Sequence, residues 1–154
     1  MFFSWIGVRV YMYSEWNINC AQYIRMAGQS KDIKSCLNNL DVAIKYLEVH
    51  KMTSGYVTII ATSNEKQNLQ LYYQSLYACR QNLKTNPDPT GALQVVKRTI
   101  FDAYQNNNNS DVSSYLNCPA GMSVYPYNGW FLLFVLISLL MMIISAFCYY
   151  FVDG

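Results

Sequence analysis

The sequence is poor in charge. Only 13% of its 154 residues are Asp, Glu, Lys or Arg, against ~25% in ordinary soluble proteins. The shortage is concentrated at the ends: Arg9 is the only charged residue before Glu15, and none occurs between Asp111 and Asp153. The charges that remain alternate in sign along the middle of the chain and sum to +2. The basic stripe that a nucleic acid requires is therefore missing, and that class of partner is excluded. Histidine is nearly absent, with His50 alone, and no CxxC or HExxH spacing occurs, so no metal site is expected. No nucleophile elbow, Gly-rich phosphate loop or paired acidic motif surrounds any nucleophile. The expectation is a protein that is not an enzyme, with no catalytic residues, no cofactor and no small-molecule substrate. A membrane-bound thiol enzyme using His50 as base is the weaker reading, because His50, beside Lys51 at a predicted helix end, suits the helix dipole more simply. The N-terminus also lacks the positive start and small-residue cleavage site of a signal peptide, and no internal repeat is present.

What is present is one long apolar run. Trp130 to Val152 contains no charged residue, and at ~1.5 Å rise per residue it reaches ~33 Å, enough for the ~30 Å hydrocarbon layer of a bilayer. Only Ser138, Ser145 and Cys148 interrupt it, whereas a buried helix of a soluble protein shows a polar stripe. Aromatic residues mark both ends, Tyr125, Tyr127 and Trp130 before it and Tyr149, Tyr150 and Phe151 at its close, as an interfacial belt would. Residues 130–152 are thus predicted to be a transmembrane helix, with Trp130, Tyr149 and Tyr150 as anchors and the working part of the chain ahead of it. The expected location is a membrane, single-pass, with a C-terminal anchor.

Residues 1–14 are apolar and aromatic but too short to span and cut by Arg9. Three readings stand: an interfacial helix with Arg9 snorkelling, a segment packed on the anchor or a partner, or a strand carrying Val8, Val10 and Met12. Contact with membrane or partner is favoured, because so aromatic a segment is poorly left in water. Helices are predicted over Glu15–Gly28, between a Ser14 N-cap and a Gly28 stop, and over Lys31–His50, with Ser30 as N-cap and a stripe of Ile33, Cys36 or Leu37, Leu40, Ile44 and Leu47. Tyr56–Ala61 is β-branched and reads as extended, either paired, with Val8–Met12 for example, or crossing the bundle. A capping-box pattern at Thr62–Glu65 opens a helix to Lys84 whose stripe is Leu69, Tyr72 or Tyr73, Leu76, Cys79 or Arg80, and Leu83. Asn86–Gly91, with two prolines, stops it in a defined hinge. Ala92–Tyr104 is a further helix on Leu93, Val96, Ile100 and Ala103.

Residues 106–129 are expected to be a flexible Asn-rich connector followed by an uncharged juxtamembrane collar. The fold class is therefore mainly all-α: a headpiece of three or four helices over 15–105, one short extended segment, and a C-terminal transmembrane helix.

Of five cysteines, Cys148 lies in the anchor, as an apolar filler or a lipidation site. Cys20, Cys36, Cys79 and Cys118 are candidates for two disulfides, with Cys36 and Cys79 the first pair to test; buried free thiols in a reducing compartment are the favoured alternative. Fourteen tyrosines exceed what so small a core uses, and tyrosine suits interfaces. Trp5, Tyr11, Tyr13, Tyr72, Tyr73 and Tyr77 are the candidate partner contacts. Asn108-Asn109-Ser110 matches a glycosylation acceptor, while the positive-inside rule points the other way, so the side of the headpiece stays open. The expected partners are the lipid bilayer and other membrane-protein subunits, and the expected role is that of a structural or accessory subunit of a larger membrane assembly. The alternative is a disulfide-stapled ectodomain of a viral or cell-surface envelope protein engaging a receptor or fusion partner.

Overall fold

The computed structural model describes residues 2–58, 67–105 and 118–152. Its first element is a rod: α1 (Phe2–Trp16), one π-helical turn (Asn17–Ala21) and α2 (Gln22–Gln29) follow without a break. Trp16 and Ala21, at the two junctions, both have helical backbone angles. The expected start at Ser14 is therefore corrected, since that residue lies inside a helix beginning at Phe2 and is exposed. Nothing in Phe2–Trp16 breaks a helix, because the stretch contains no proline and its one glycine, Gly7, stands in open space. Val8–Met12 is helical and so pairs with no extended segment.

The rod ends one residue beyond Gly28. Ser30 turns the chain with an extended backbone, and its hydroxyl donates to the Met26 carbonyl at 2.7 Å. It does not cap the next helix. That cap is Asp32, whose carboxylate accepts the Ser35 amide at 2.8 Å and opens α3 (Ile33–Val49). A carboxylate satisfies an orphan amide and also favours the positive end of the helix dipole. At the other end α3 closes in a Schellman motif: the Met52 amide reaches back to the Leu47 carbonyl at 2.8 Å and the Lys51 amide to Glu48 at 3.1 Å. Lys51 takes the left-handed conformation, φ 56°, that glycine usually supplies in this motif. Leu47 and Met52, the positions that make its hydrophobic contact, are both buried.

Gly55, also at positive φ, leads into a short extended piece. Tyr56 forms an isolated antiparallel bridge with Asn68, and the Val57 amide donates to Gln67 O at 3.1 Å. Ile59–Ala61 and the Thr62–Glu65 capping box lie outside the described residues. Asn68 then caps α4 (Leu69–Thr85), its side-chain oxygen accepting the Gln70 and Leu71 amides. α5 (Pro89–Gln105) begins with proline where a missing N–H costs nothing, while Asp88 accepts the Thr90 amide.

Helix α2 packs on α3 and α5, and α4 packs on the same two, which closes a four-helix arrangement. The stripes meet inside it, with Ile24, Leu40, Leu47, Leu69, Leu76, Val96 and Ile100 almost fully buried. Burying each such side chain stabilises the fold by ~1.5–3 kcal/mol. Where two residues competed for a stripe position, the core takes Ile24, Cys36, Tyr72 and Cys79.

The last part of the collar belongs to this core. A left-handed Gly121, φ 89°, turns the chain into a 3₁₀ turn (Met122–Val124) whose Met122 and Val124 are buried. A Cβ at Gly121 would come within 3.0 Å of Val57, so only glycine fits that approach easily. Asn128 then donates to the Val57 carbonyl at 2.9 Å as α6 (Asn128–Val152) begins. Residues 118–127 are thus docked on the headpiece; 106–117 lie outside the described residues. Asn128–Tyr150 of α6 is long and apolar enough to cross a membrane, and none of it is buried in the molecule.

Candidate membrane and partner interface

The surfaces left over after the core has formed lie mainly on α1 and α6. Every side chain of α6 from Leu133 to Tyr150 is exposed, and the three expected anchors are among the most open, with Trp130, Tyr149 and Tyr150 at 62%, 73% and 77%. On α1, Ile6, Val8, Val10, Tyr11 and Tyr13 are exposed, Trp5 and Met12 are half-buried, and Trp16 at its end enters the core. Trp16 stacks edge-on against Tyr46 at 5.9 Å, and Tyr46 in turn meets the His50 ring at 4.1 Å.

The two apolar helices touch where α6 begins. Trp5 meets Phe131 edge-to-face with ring centroids 5.6 Å apart. Arg9 covers the pair, its guanidinium 5.5 Å from the Trp5 ring centre and 5.7 Å from that of Phe131. A cation held over two aromatic rings is worth ~0.5–2 kcal/mol depending on how dry the site is. Beyond this contact α1 and α6 leave between them, and against the end of α3, a groove of about 1620 Å³. Its walls are Val8, Met12 and Trp5 on α1 and Phe131, Phe134, Val135 and Met142 on α6, and Glu15, His50 and Lys51 stand at the headpiece end.

The tyrosines named from the sequence separate into three environments. Tyr11 and Tyr13 are open on α1, together with the half-buried Trp5. Tyr73 and Tyr77 form a ridge on α4: Tyr73 donates to the Glu48 carboxylate at 2.7 Å, the two rings lie 6.2 Å apart, and Arg80, ion-paired to Asp41, stacks over Tyr77 at 5.8 Å. The hydrogen bond to Glu48 raises the Tyr73 hydroxyl above its ordinary range. Tyr72 is corrected from partner contact to core, since it is 5% exposed and faces inward beside Cys118. One helical step decides this, because Leu69, Tyr72, Leu76, Cys79 and Leu83 keep the spacing of a single buried face.

The candidate disulfide residues are free thiols: Cys20, Cys36 and Cys79 buried, Cys118 half-buried. The fold brings them into two neighbourhoods. Cys79 on α4 adds to the rise of the Cys36 thiol on α3, and Cys20 and Cys118 share the environment of Tyr72. Burial pushes Cys36 up to about 11 and Cys118 to about 12, and raises Cys20 and Cys79 as well. A thiol is a nucleophile or metal ligand as the thiolate, so these four are held in their unreactive form at neutral pH. Packing against apolar neighbours is what they do here, and Cys20 also lies 3.8 Å from the Ala43 carbonyl. Among the described residues no group of three His, Cys, Asp or Glu side chains is placed to hold a metal ion.

The arrangement defines a four-helix headpiece with one unburied apolar helix and a second apolar helix beside it. Comparisons with protein-family models, curated proteins and solved structures return no match for the chain.

Proposed function

We propose that the chain is a single-pass, membrane-anchored helical protein acting as a structural or accessory subunit of a larger membrane assembly. The carrying observation is α1: it leaves its own core as a rod on which Ile6, Val8, Val10, Tyr11 and Tyr13 stay exposed while Trp5 and Met12 are half-buried, and so much uncovered apolar surface is one that water does not favour. Helix α6 supplies the span, and the Asn128 hydrogen bond to Val57 fixes the headpiece at the point where that span starts. Tyr11 and Tyr13 then face the neighbouring subunit, since tyrosine combines an apolar ring with a polar tip suited to an interface.

The test is co-purification in mild detergent of the full chain and of a Val10→Lys, Tyr13→Lys double variant, at two exposed positions outside the groove. The full chain is expected to elute with other membrane polypeptides in fixed proportion, and the variant to release them without a change in headpiece melting. A monodisperse monomer without a stable partner removes the reading. The envelope-ectodomain alternative requires bridges among four cysteines that are free here, and mass spectrometry of the non-reduced protein decides it.

A further inference from the structure

We propose that the groove between α1, the end of α3 and α6 holds one zwitterionic phospholipid, with its phosphate at Lys51 and its acyl chains running along α6. The inference rests on the membrane-anchored reading and adds a specific site to it. Two independent observations support it.

The first is the gradient of chemistry along the groove. At the headpiece end the lining includes Glu15, His50 and Lys51; toward the other end it is Phe134, Val135 and Met142. That is the profile of an amphiphile, charged at one end only. Lys51 matches a phosphate, and Glu15, on the neighbouring wall, matches the ammonium of a zwitterionic headgroup while disfavouring a second negative charge. Arg9 is engaged over Trp5 and Phe131, and the other carboxylate close by, Glu48, accepts from Tyr73. At about 1620 Å³ the groove exceeds the ~300–1,000 Å³ of ordinary small-molecule pockets. A partner helix fits the walls less well. Helices approach each other in lipid through small residues, and beside Ser4 and Ser138 the helical walls of this groove present the bulky Trp5, Val8, Met12, Phe134, Leu139 and Met142.

The second observation is the backbone of Lys51. It occupies the left-handed position of the Schellman motif, φ 56°, where a side chain is a burden and glycine is the common solution. The Schellman motif accounts for that backbone, and the lysine standing where glycine is usual places an ammonium beside the groove. Lys51 is one of the residues that line it.

The experiment uses the full chain in nanodiscs of phosphatidylcholine doped with phosphatidylethanolamine that carries a diazirine in its acyl chain. After irradiation the labelled residues are mapped by peptide mass spectrometry. Label is expected to concentrate on Val8, Met12, Val135 and Met142 over Leu136, Leu140 and Ile143, which lie on α6 outside the groove. Lys51→Gly is expected to lower groove labelling about threefold, the scale of one partly solvated charge pair, while labelling of Leu136 and Leu140 and the melting temperature are not reduced.

Even labelling around α6, or groove labelling that Lys51→Gly leaves unchanged, shows ordinary surrounding lipid and overturns the site. Cross-linking that finds a second copy or another polypeptide in the groove overturns it in favour of that occupant. Stronger groove labelling by a phosphatidylglycerol probe overturns the zwitterionic assignment. Absence of label from Leu136 and Leu140 as well is the separate result that removes membrane anchoring itself.

Discussion

The rod from Phe2 to Gln29 has two halves with the same backbone and opposite fates. In the first, Val8, Val10, Tyr11 and Tyr13 are exposed; in the second, Cys20, Ile24, Ala27 and Gly28 are buried, and Arg25 and Gln29 face water. Helix propensity does not distinguish them, because neither half contains proline and both are helical throughout. The distribution of apolar residues does. The second half gathers Cys20, Ile24 and Ala27 on one face that the other helices cover, with Ile18 and Met26 left exposed, whereas the first leaves most of its apolar residues uncovered, with Trp5 and Met12 half-buried. The same contrast separates α4 from α6. Helicity is thus common to both regions, and what differs is the medium each sequence is suited to.

The largest effect that can test this contrast comes from truncating one leucine in a covered helix and one in the uncovered helix. Leu40 is fully buried in α3 and Leu140 is exposed on α6. Leu40→Ala is expected to destabilise the headpiece by ~2–5 kcal/mol through lost burial and the cavity it leaves. Leu140→Ala is expected to leave headpiece unfolding unchanged in urea titrations followed by circular dichroism. Equal losses from both would show that α6 is part of the folded core and would erase the distinction.

A charge sharpens it next. Leu140→Arg places a cation near the middle of α6, and at the centre of a spanning helix that costs ~2.5–3.5 kcal/mol of insertion. The carbonate-resistant membrane fraction is expected to fall, with the melting of the headpiece unaltered. Asn38→Arg on the exposed face of α3 is the control and is expected to leave the membrane fraction where it was, since that surface already faces water.

A smaller effect follows from the buried thiols. Cys36 and Cys118 are raised from 9.0 to about 11 and about 12. The folded state therefore keeps its protons where the unfolded chain has lost them, and stability falls as pH rises. The contribution is whole below pH 9, declines from there, and is lost as pH passes the folded values. Urea midpoints are expected to hold steady between pH 7 and pH 9 and to drop between pH 9 and pH 11. In Cys36→Ala the drop should be shallower. A thiol reagent at pH 8 should modify the native headpiece cysteines far more slowly than the same residues in urea.

Much of this was legible in the amino-acid order because it depends on period alone. The stripes of α3, α4 and α5 recur at three and four residues, and α6 is apolar at every step, so helix, face and the apolar span could each be read locally. The features that escaped depend on partners distant in the chain. Residues 118–127 look like an uncharged collar until Met122 meets the core and Asn128 meets Val57, 71 residues away. The groove has no local signal, since Val8, Lys51 and Val135 come from three separate elements. Tyr72 and Tyr73 are adjacent and chemically identical, so the choice of which is buried waits on the rotation of α4 against α3. Lys51 at a left-handed position also ran against the sequence rule, which looks for glycine there.

The helix caps show the same limit at the scale of one side chain, and they give the smallest test. Ser30 and Asp32 are both good capping residues, and sequence order favoured the first. The structure assigns Ser30 to closing α2, through its bond to Met26 O, and Asp32 to opening α3, through the Ser35 amide. Asp32→Ala is therefore expected to cost ~0.5–2 kcal/mol of headpiece stability, and Asp32→Asn much less, since asparagine caps about as well as aspartate. The measured quantity is the shift of the urea midpoint at constant slope. If Asp32→Ala were neutral, α3 would begin at another residue and the short turn between α2 and α3 would have to be redrawn. That turn sets how α2 lies on α3, and hence the direction in which α1 leaves the core.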